Sequence, residues 1–381
     1  MKLITDAAEL AELCTRLKSE PYITIDTEFL RDKTYWPQLC LVQVAGANEA
    51  VAIDPLVGMD LAPLAALLAD PDVVKVFHAA RQDVEIFYQL TGTIPHPLFD
   101  TQVAAMVCGF GDSVGYETLA GKLAGAKIDK SLRFTDWSNR PLSDKQLHYA
   151  ISDVTHLRIV YEKLSARLAK SGRSSWLEEE MAILTDPNTY RLSPDEAWQR
   201  LKPRSNSPKF LNVLRELASW RESEAQRRNV PRNRILRDEA LLEVAALLPQ
   251  SIADLARSRS VGKSMAEGSL GAVMIEVVAR GLARSASDAP ILAERLEVPQ
   301  GRGPLIELLK VLLKLKSESN DVAQKLIANV ADLEAIACSD QAVVPALKGW
   351  RLEVFGDDAL ALKQGRLALT VANDAIRIIR L

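Results

Sequence analysis

Along residues 22–29 the side chains alternate with a period of two, placing Ile23, Ile25 and Thr27 on one face and Thr24, Asp26 and Glu28 on the other. Short β-branched or apolar runs at 39–45, 50–53 and 73–77 predict three further strands. Elsewhere the apolar spacing changes to three and four, which predicts helices over 7–18, 61–68, 81–90, 101–107 and 143–170. The last opens with Ser143 and Gln146 in capping-box positions and carries an apolar stripe of Leu147, Ala150, Ile151, Val154, Leu157, Tyr161 and Leu164. The first three strands are joined by short loops, which predicts an antiparallel meander. Strands separated by helices extend it into a mixed α/β sheet flanked by helices.

Past Asp186 the pattern changes. Asp186-Pro187-Asn188, Ser193-Pro194 and residues 202–208 are loop and cap signals, and they place a boundary near Arg204. Beyond it the chain is rich in Leu and Ala at helical spacing and predicts two compact helical domains, broken near residues 285–304. Their similar size suggests a duplication. The expected division is therefore 1–200, 205–286 and 290–381.

Composition narrows the class. With 48% hydrophobic and 25% charged residues the 381-residue chain is ordinary for a globular protein, which excludes wholesale disorder. The apolar run at 61–69 falls far short of the ~20 residues a membrane span needs. Asp6, Glu9 and Glu12 stand where a signal peptide would be cationic, so a cytoplasmic protein is expected. Four scattered cysteines and four histidines make neither a disulfide frame nor a zinc pattern. The net charge of -3 conceals an acidic first part, -8 over residues 1–201, and a basic tract, +7 over residues 202–237. That tract holds Arg227, Arg228, Arg232 and Arg234, and it predicts contact with a phosphate backbone rather than base reading.

The chemistry lies in the acidic part. Asp26 and Glu28 share a strand face about 7 Å apart by Cα rise, close enough to converge on one small cation. Asp83 lies at the margin of a helix's apolar stripe, where a carboxylate needs a partner. Tyr149 and Asp153 are spaced i, i+4 and project from one side of a helix. Together these are the parts of a two-metal phosphodiester site, in which divalent ions acidify the attacking water and neutralise charge on the leaving 3′ oxygen. Oxygen ligands select Mg²⁺ or Mn²⁺ over zinc. Tyr149, whose ordinary pKa is near 10, is a poor base near neutral pH and is expected to hold and orient the water.

These motifs resemble the Tyr-type DEDD 3′ to 5′ exonucleases, and among them the ribonuclease D family. The resemblance rests on Asp26-Thr27-Glu28-Phe29 with Arg31, Thr34-Tyr35, Pro37 and Leu39-Cys40-Leu41-Val42-Gln43, on His78-Ala79 with Asp83, on Asp136-Trp137 with Arg140-Pro141-Leu142, and on Tyr149-Ala150 with Asp153-Val154. Residues 207–281 look like the helicase-and-RNase-D C-terminal (HRDC) domain, and the last stretch, with Gly349-Trp350-Arg351 and Phe355-Gly356, looks like a second one. The resemblance implies an RNase-H-like α/β exonuclease domain followed by two all-α HRDC-type domains. It makes Asp26, Glu28, Asp83 and Asp153 ligands of two Mg²⁺ or Mn²⁺ ions and puts Tyr149 at the attacking water. The implied activity is trimming of structured RNAs, such as precursor tRNA 3′ ends, to nucleoside 5′-monophosphates by a monomer. Expected substrate contacts are Phe29, Tyr35, Gln43, His78, Arg133, Arg140 and the four arginines of the basic tract. Two competing readings are a proofreading-type DNA exonuclease and a nucleic-acid-binding adaptor without turnover. The four intact carboxylates oppose the second.

Overall fold

The computed structural model describes residues 1–292 and 298–381. Packing separates two units. One comprises Met1–Glu28, Cys40–Thr189 and the described residues of Arg295–Leu381; the other comprises Phe29–Leu39 and Tyr190–Glu294. The expected break at 285–304 falls partly on residues 293–297, outside the described residues.

The first unit is built on strands β1 (Lys2–Ile4), β2 (Tyr22–Leu30), β3 (Gln38–Ala45), β4 (Ala50–Ile53), β5 (Val74–Phe77) and β6 (Leu98–Asp100). They form one sheet in the order β1-β4-β3-β2-β5-β6. β3 and β4 are antiparallel, whereas β1 with β4, β2 with β5 and β5 with β6 are parallel, so the sheet is mixed. β2 is central, and Ile23, Thr24 and Ile25 within it are fully buried. The three-residue β1 and β6 are too short to show a period and exist through their pairing.

The helices of this unit are α1 (Ala7–Leu17), α2 (Ala62–Leu68), α3 (Arg81–Thr91), α4 (Thr101–Val107), α5 (Tyr116–Ala124), α6 (Asp144–Ser171) and α7 (Ser174–Thr185). α6 begins at the expected capping box: Ser143 Oγ accepts from the Gln146 N–H while the Gln146 side chain accepts from the Ser143 N–H. Its apolar stripe buries Ala150, Val154, Leu157 and Leu164 against β4, β5, α4 and α5.

The C-terminal segment packs onto this same unit. Trp176 stacks on Trp350 with ring centroids 4.2 Å apart, and Arg351 pairs with Glu179 at 2.8 Å and with Glu180. Gly109 shows how closely the backbones approach: its φ is +77°, and a Cβ there would lie 2.8 Å from the Asp321 carbonyl oxygen.

The second unit is organised by α8 (Pro208–Arg228), which buries Phe210, Leu214 and Leu217 against the helices Asp238–Leu247 and Ser269–Ala283. Phe29–Leu39 belongs to it through Tyr35, which packs on Ala225 and Ile235. The Asn229 side chain accepts from the backbone N–H groups of Tyr35 and Trp36 at 3.1 and 3.0 Å.

One local design occurs twice. α8 ends at Asn229 with φ +50°, and the Val230 N–H returns to the Ala225 carbonyl at 3.0 Å. A four-residue helix Arg232–Ile235, the extended residue Leu236 and the helix Asp238–Leu247 follow. The helix Gly303–Ser319 is followed by Asp321 with φ +48°, and the Val322 N–H returns to the Ser317 carbonyl at 3.2 Å. Then come a four-residue helix Gln324–Ile327, the extended residue Ala328 and the helix Val330–Cys338. Asn and Asp occupy the left-handed corners because short polar side chains tolerate that conformation. The two segments thus share this local backbone geometry.

One element departs from the all-helical pattern. β7 (Leu367–Ala372) and β8 (Ala375–Arg380) form an antiparallel hairpin, turned through Asn373 and Asp374 with φ +52° and +59°. Among the described residues no helix is long and apolar enough to cross a membrane.

Candidate active site

The site begins where two parallel strands part. β2 pairs with β5 from Tyr22 opposite Val74 to Thr24 opposite Val76, and β5 ends at Phe77. Asp26 and Glu28 therefore stand past the pairing, at the carboxyl end of β5, where open α/β sheets form their crevices. Thr24, on the same face as Asp26, donates its hydroxyl to the Val154 carbonyl at 2.8 Å. That bond sets this face of β2 against the turn of α6 that carries Asp153. Carboxylate oxygens of Asp26, Glu28 and Asp153 lie within 4.8 Å of one another. Asp83, buried in the first turn of α3, meets β2 at Thr27, whose hydroxyl donates to it at 2.5 Å, and the Asp26 charge acts on it. Tyr149 stands one turn before Asp153 on α6, and the charges of Asp153, Glu28 and Asp26 act on its phenol.

Burial, with like charges crowded beside it, governs the acidities. Burial, then the neighbouring carboxylates, pushes Glu28 up to about 10; burial, then Asp26, pushes Asp153 up to about 8. Burial alone lifts Asp26 to about 6, and burial with Asp26 holds Asp83 well above the ordinary range. Groups so placed take up protons or cations. Asp153 Oδ1 is buried without a hydrogen-bond partner, and the donors are hard oxygens, so the residues fit divalent metal ions. Burial, then Asp153 and Glu28, also raises the Tyr149 phenol, which keeps its proton.

Comparison with known proteins agrees with this geometry. Residues 1–169 match the 3′-5′ exonuclease family model and residues 210–278 the HRDC domain. The chain is 53% identical to ribonuclease D of Granulibacter bethesdensis over 379 residues, covering 99% of this chain and 96% of that one. It is 50% identical to ribonuclease D of Nitrobacter hamburgensis over 380 residues, covering 99% and 98%. The chain belongs to the ribonuclease D family. Its fold also matches the crystal structure of Escherichia coli RNase D, described as an exoribonuclease involved in structured RNA processing, with a TM-score of 0.80 and 29% identity over 96% of this chain and 98% of that one. The activity is that of a 3′ to 5′ exoribonuclease with divalent metals.

Within this ribonuclease D framework the structure redistributes several expected contacts. Tyr35 is 4% exposed, and its hydroxyl binds Glu222, so its ring offers no face to a base. Arg140 is also reassigned: its guanidinium forks onto Asp54 at 2.6 and 2.7 Å and donates to the carbonyls of Trp137, Asn139 and Cys40, which leaves no donor pair for a phosphate. Arg232 pairs with the buried Glu222 and lies over the Tyr35 ring, an internal role in place of the expected RNA contact. Arg227 and Arg228 are more exposed but share Glu224, which offsets part of their charge; Arg234 is exposed.

Phe29, His78 and Arg133 stay near the carboxylates in sequence or space. Phe29, half-buried, directly follows Glu28. His78 is half-buried with its ring 5.4 Å from that of Tyr116, and its Nδ1 lies 3.0 Å from Thr101 Oγ1. Because Thr101 donates its own proton to the Phe77 carbonyl, His78 carries its proton on Nδ1. Burial pushes His78 down to about 4, so it is neutral. Gln43 is fully buried with both amide atoms unpartnered. The charge of Arg133 reaches both Glu28 and Tyr149.

Three positioning residues escaped the sequence reading. Thr27 holds Asp83. Asp100 accepts from the N–H groups of Ala79 and Ala80 at 2.9 and 2.8 Å and so fixes the turn that leads into α3; its place just before Thr101 is a helix-cap signal. Tyr116 donates its hydroxyl to the Asp153 carbonyl, a contact no local pattern announces.

Proposed function

We propose that the chain trims 3′ extensions from precursor tRNAs and other structured RNAs, releasing nucleoside 5′-monophosphates, as a cytoplasmic monomer that uses two Mg²⁺ or Mn²⁺ ions. The observation that carries the reading is the convergence of Asp26, Glu28 and Asp153 within 4.8 Å, with Tyr149 one turn before Asp153 on the same helix. The E. coli relative's role in structured RNA processing supports the substrate class. Asp26, Glu28, Asp83 and Asp153 would hold the ions, which supply an acidified water and neutralise charge on the leaving 3′ oxygen. Tyr149 keeps its proton, and its phenol oxygen is available to accept from the attacking water and align it with phosphorus. The P–O3′ bond breaks, leaving a 3′ hydroxyl on the shortened strand.

Phe29, His78 and Arg133 remain the proposed contacts to the terminal nucleotide, and Arg227, Arg228 and Arg234 to more distant phosphates; Gln43, fully buried, is as closed to a nucleotide as Tyr35. The doubled corner at Asn229 and Asp321 supports reading the segment after 303 as a second HRDC-like repeat. A time course on a 3′-extended tRNA and a matched DNA strand, with and without Mg²⁺, tests the proposal. Mononucleotides from the tRNA with Mg²⁺ are expected; equal or faster loss of the DNA would transfer the reading to a DNA exonuclease.

A further inference from the structure

Phe134 is 91% exposed on the loop that leads into α6. The loop is tightly built there. The Thr135 N–H and hydroxyl both donate to the Leu132 carbonyl, at 3.1 and 2.9 Å, which leaves Arg133 and Phe134 as the two central residues of a turn. Gln146 Nε2 donates to Thr135 Oγ1 at 3.4 Å and ties the turn to the first turn of α6, one helical turn before Tyr149. Three residues beyond Phe134 the chain is anchored again by Trp137, which is 2% exposed with its ring 6.0 Å from that of Tyr149. Both ends of the turn are therefore held against the helix face that carries the catalytic phenol.

At the tip, the Arg133 guanidinium lies over the Phe134 ring, 5.4 Å from its centroid. Arg133 is itself exposed, and its charge acts on Glu28 and Tyr149 against the burial that raises both. A cation and a solvent-exposed aromatic ring thus stand together beside the carboxylate cluster, held on a short hydrogen-bonded turn.

We propose that Phe134 and Arg133 form a platform for the RNA strand near its 3′ end, on which Phe134 stacks a nucleobase and Arg133 meets the adjoining phosphate. This rests on the exoribonuclease activity and adds a binding subsite to it. An exonuclease meets every sequence in turn, and stacking is a sequence-tolerant grip because every base has a π-face. In the free protein the guanidinium caps the ring by a cation–π contact; in the complex the base takes the ring and the phosphate takes the cation.

The test uses the full chain with Mg²⁺ and single-stranded oligoribonucleotides in which an abasic ribose replaces each of the last four nucleotides in turn. Wild type should show a raised KM at one abasic position. Phe134→Ala should raise KM roughly tenfold on the intact strand, leave kcat within about twofold, and abolish the penalty at that position. Phe134→Trp should restore both, and Phe134→Leu neither. The platform is overturned if Phe134→Ala keeps the wild-type KM and abasic profile. It is equally overturned if Phe134→Leu matches wild type, because apolar packing would then suffice. Absence of mononucleotide release by wild type would instead sink the exoribonuclease reading beneath it.

Discussion

Thr27 gives its hydroxyl proton to Asp83 across 2.5 Å, and this bond joins the strand that carries Asp26 and Glu28 to the helix that carries the fourth carboxylate. Both side chains are buried, at 6% and 7% exposure, so the bond is sheltered from competing water. Asp100 fixes the start of the same helix by holding the turn at Ala79, whose φ is +58°. Asp83 is therefore oriented from two sides before any ion binds.

Removing the donor while keeping the shape should disorder that carboxylate. Thr27→Val is expected to lower single-turnover cleavage and weaken Mg²⁺ activation roughly tenfold or more, while Thr27→Ser stays close to wild type. Wild-type Mg²⁺ activation in the valine variant would show that Asp83 needs no such support.

Tyr149→Phe removes the water-orienting oxygen and leaves the ring that packs by Trp137. The expected result is a kcat lower by roughly 10²-fold with little change in RNA affinity. A fall in affinity at constant kcat would make Tyr149 a substrate contact.

Without metal, the site should make stability fall as pH rises. Asp26 and Asp153 titrate at about 6 and about 8 in the fold, against an ordinary 3.8. Between those values the folded chain holds protons that the unfolded chain has released, so their stabilising effect is complete below the ordinary value and lost as pH passes the folded ones. In EDTA the melting temperature should drop by several degrees from about pH 5 to about pH 8, and Mg²⁺ should flatten the slope. A slope in EDTA that is zero or positive, or that Asp153→Asn leaves unchanged, contradicts this account.

The arginines of the basic tract should divide into two classes. Alanine at Arg227, Arg228 and Arg234 together should reduce the slope of log K against log salt for tRNA by roughly 0.7–0.9 for each phosphate no longer neutralised, with single-turnover cleavage retained at saturating RNA. Arg232→Ala should instead destabilise the helical unit by about 2 kcal/mol or more, because it strips a partner from the buried Glu222. Salt titrations and thermal melts separate the two; a stable Arg232→Ala protein with weakened tRNA binding would return Arg232 to the RNA surface.

The chain's local order was legible because it is written in short periods. Alternation over 22–29 specified β2 and placed Asp26 and Glu28 on one face, and the spacing of Tyr149 and Asp153 on a capped helix set their common side. The Asn229 and Asp321 corners left only a faint trace, since a left-handed residue asks for a short polar side chain and little else. The hairpin at 367–380 was hidden in Leu- and Ala-rich sequence because apolar composition alone does not separate strand from helix.

Tertiary structure decided how charge is used. Arg140 and Asp54 are 86 residues apart, and Arg232 meets Tyr35 across 197. Sequence shows that an arginine is present; it does not show whether a carboxylate waits beside it in the fold, and an ion pair formed inside the protein removes the charge from what RNA can meet. The same holds for the acidic site, where repulsion among Asp26, Glu28 and Asp153 arises only when a strand and a helix separated by more than a hundred residues are packed face to face. Covalent spacing sets direction over one or two turns, and beyond that range only packing of the sheet against α6 brings the groups within the few ångströms over which they act.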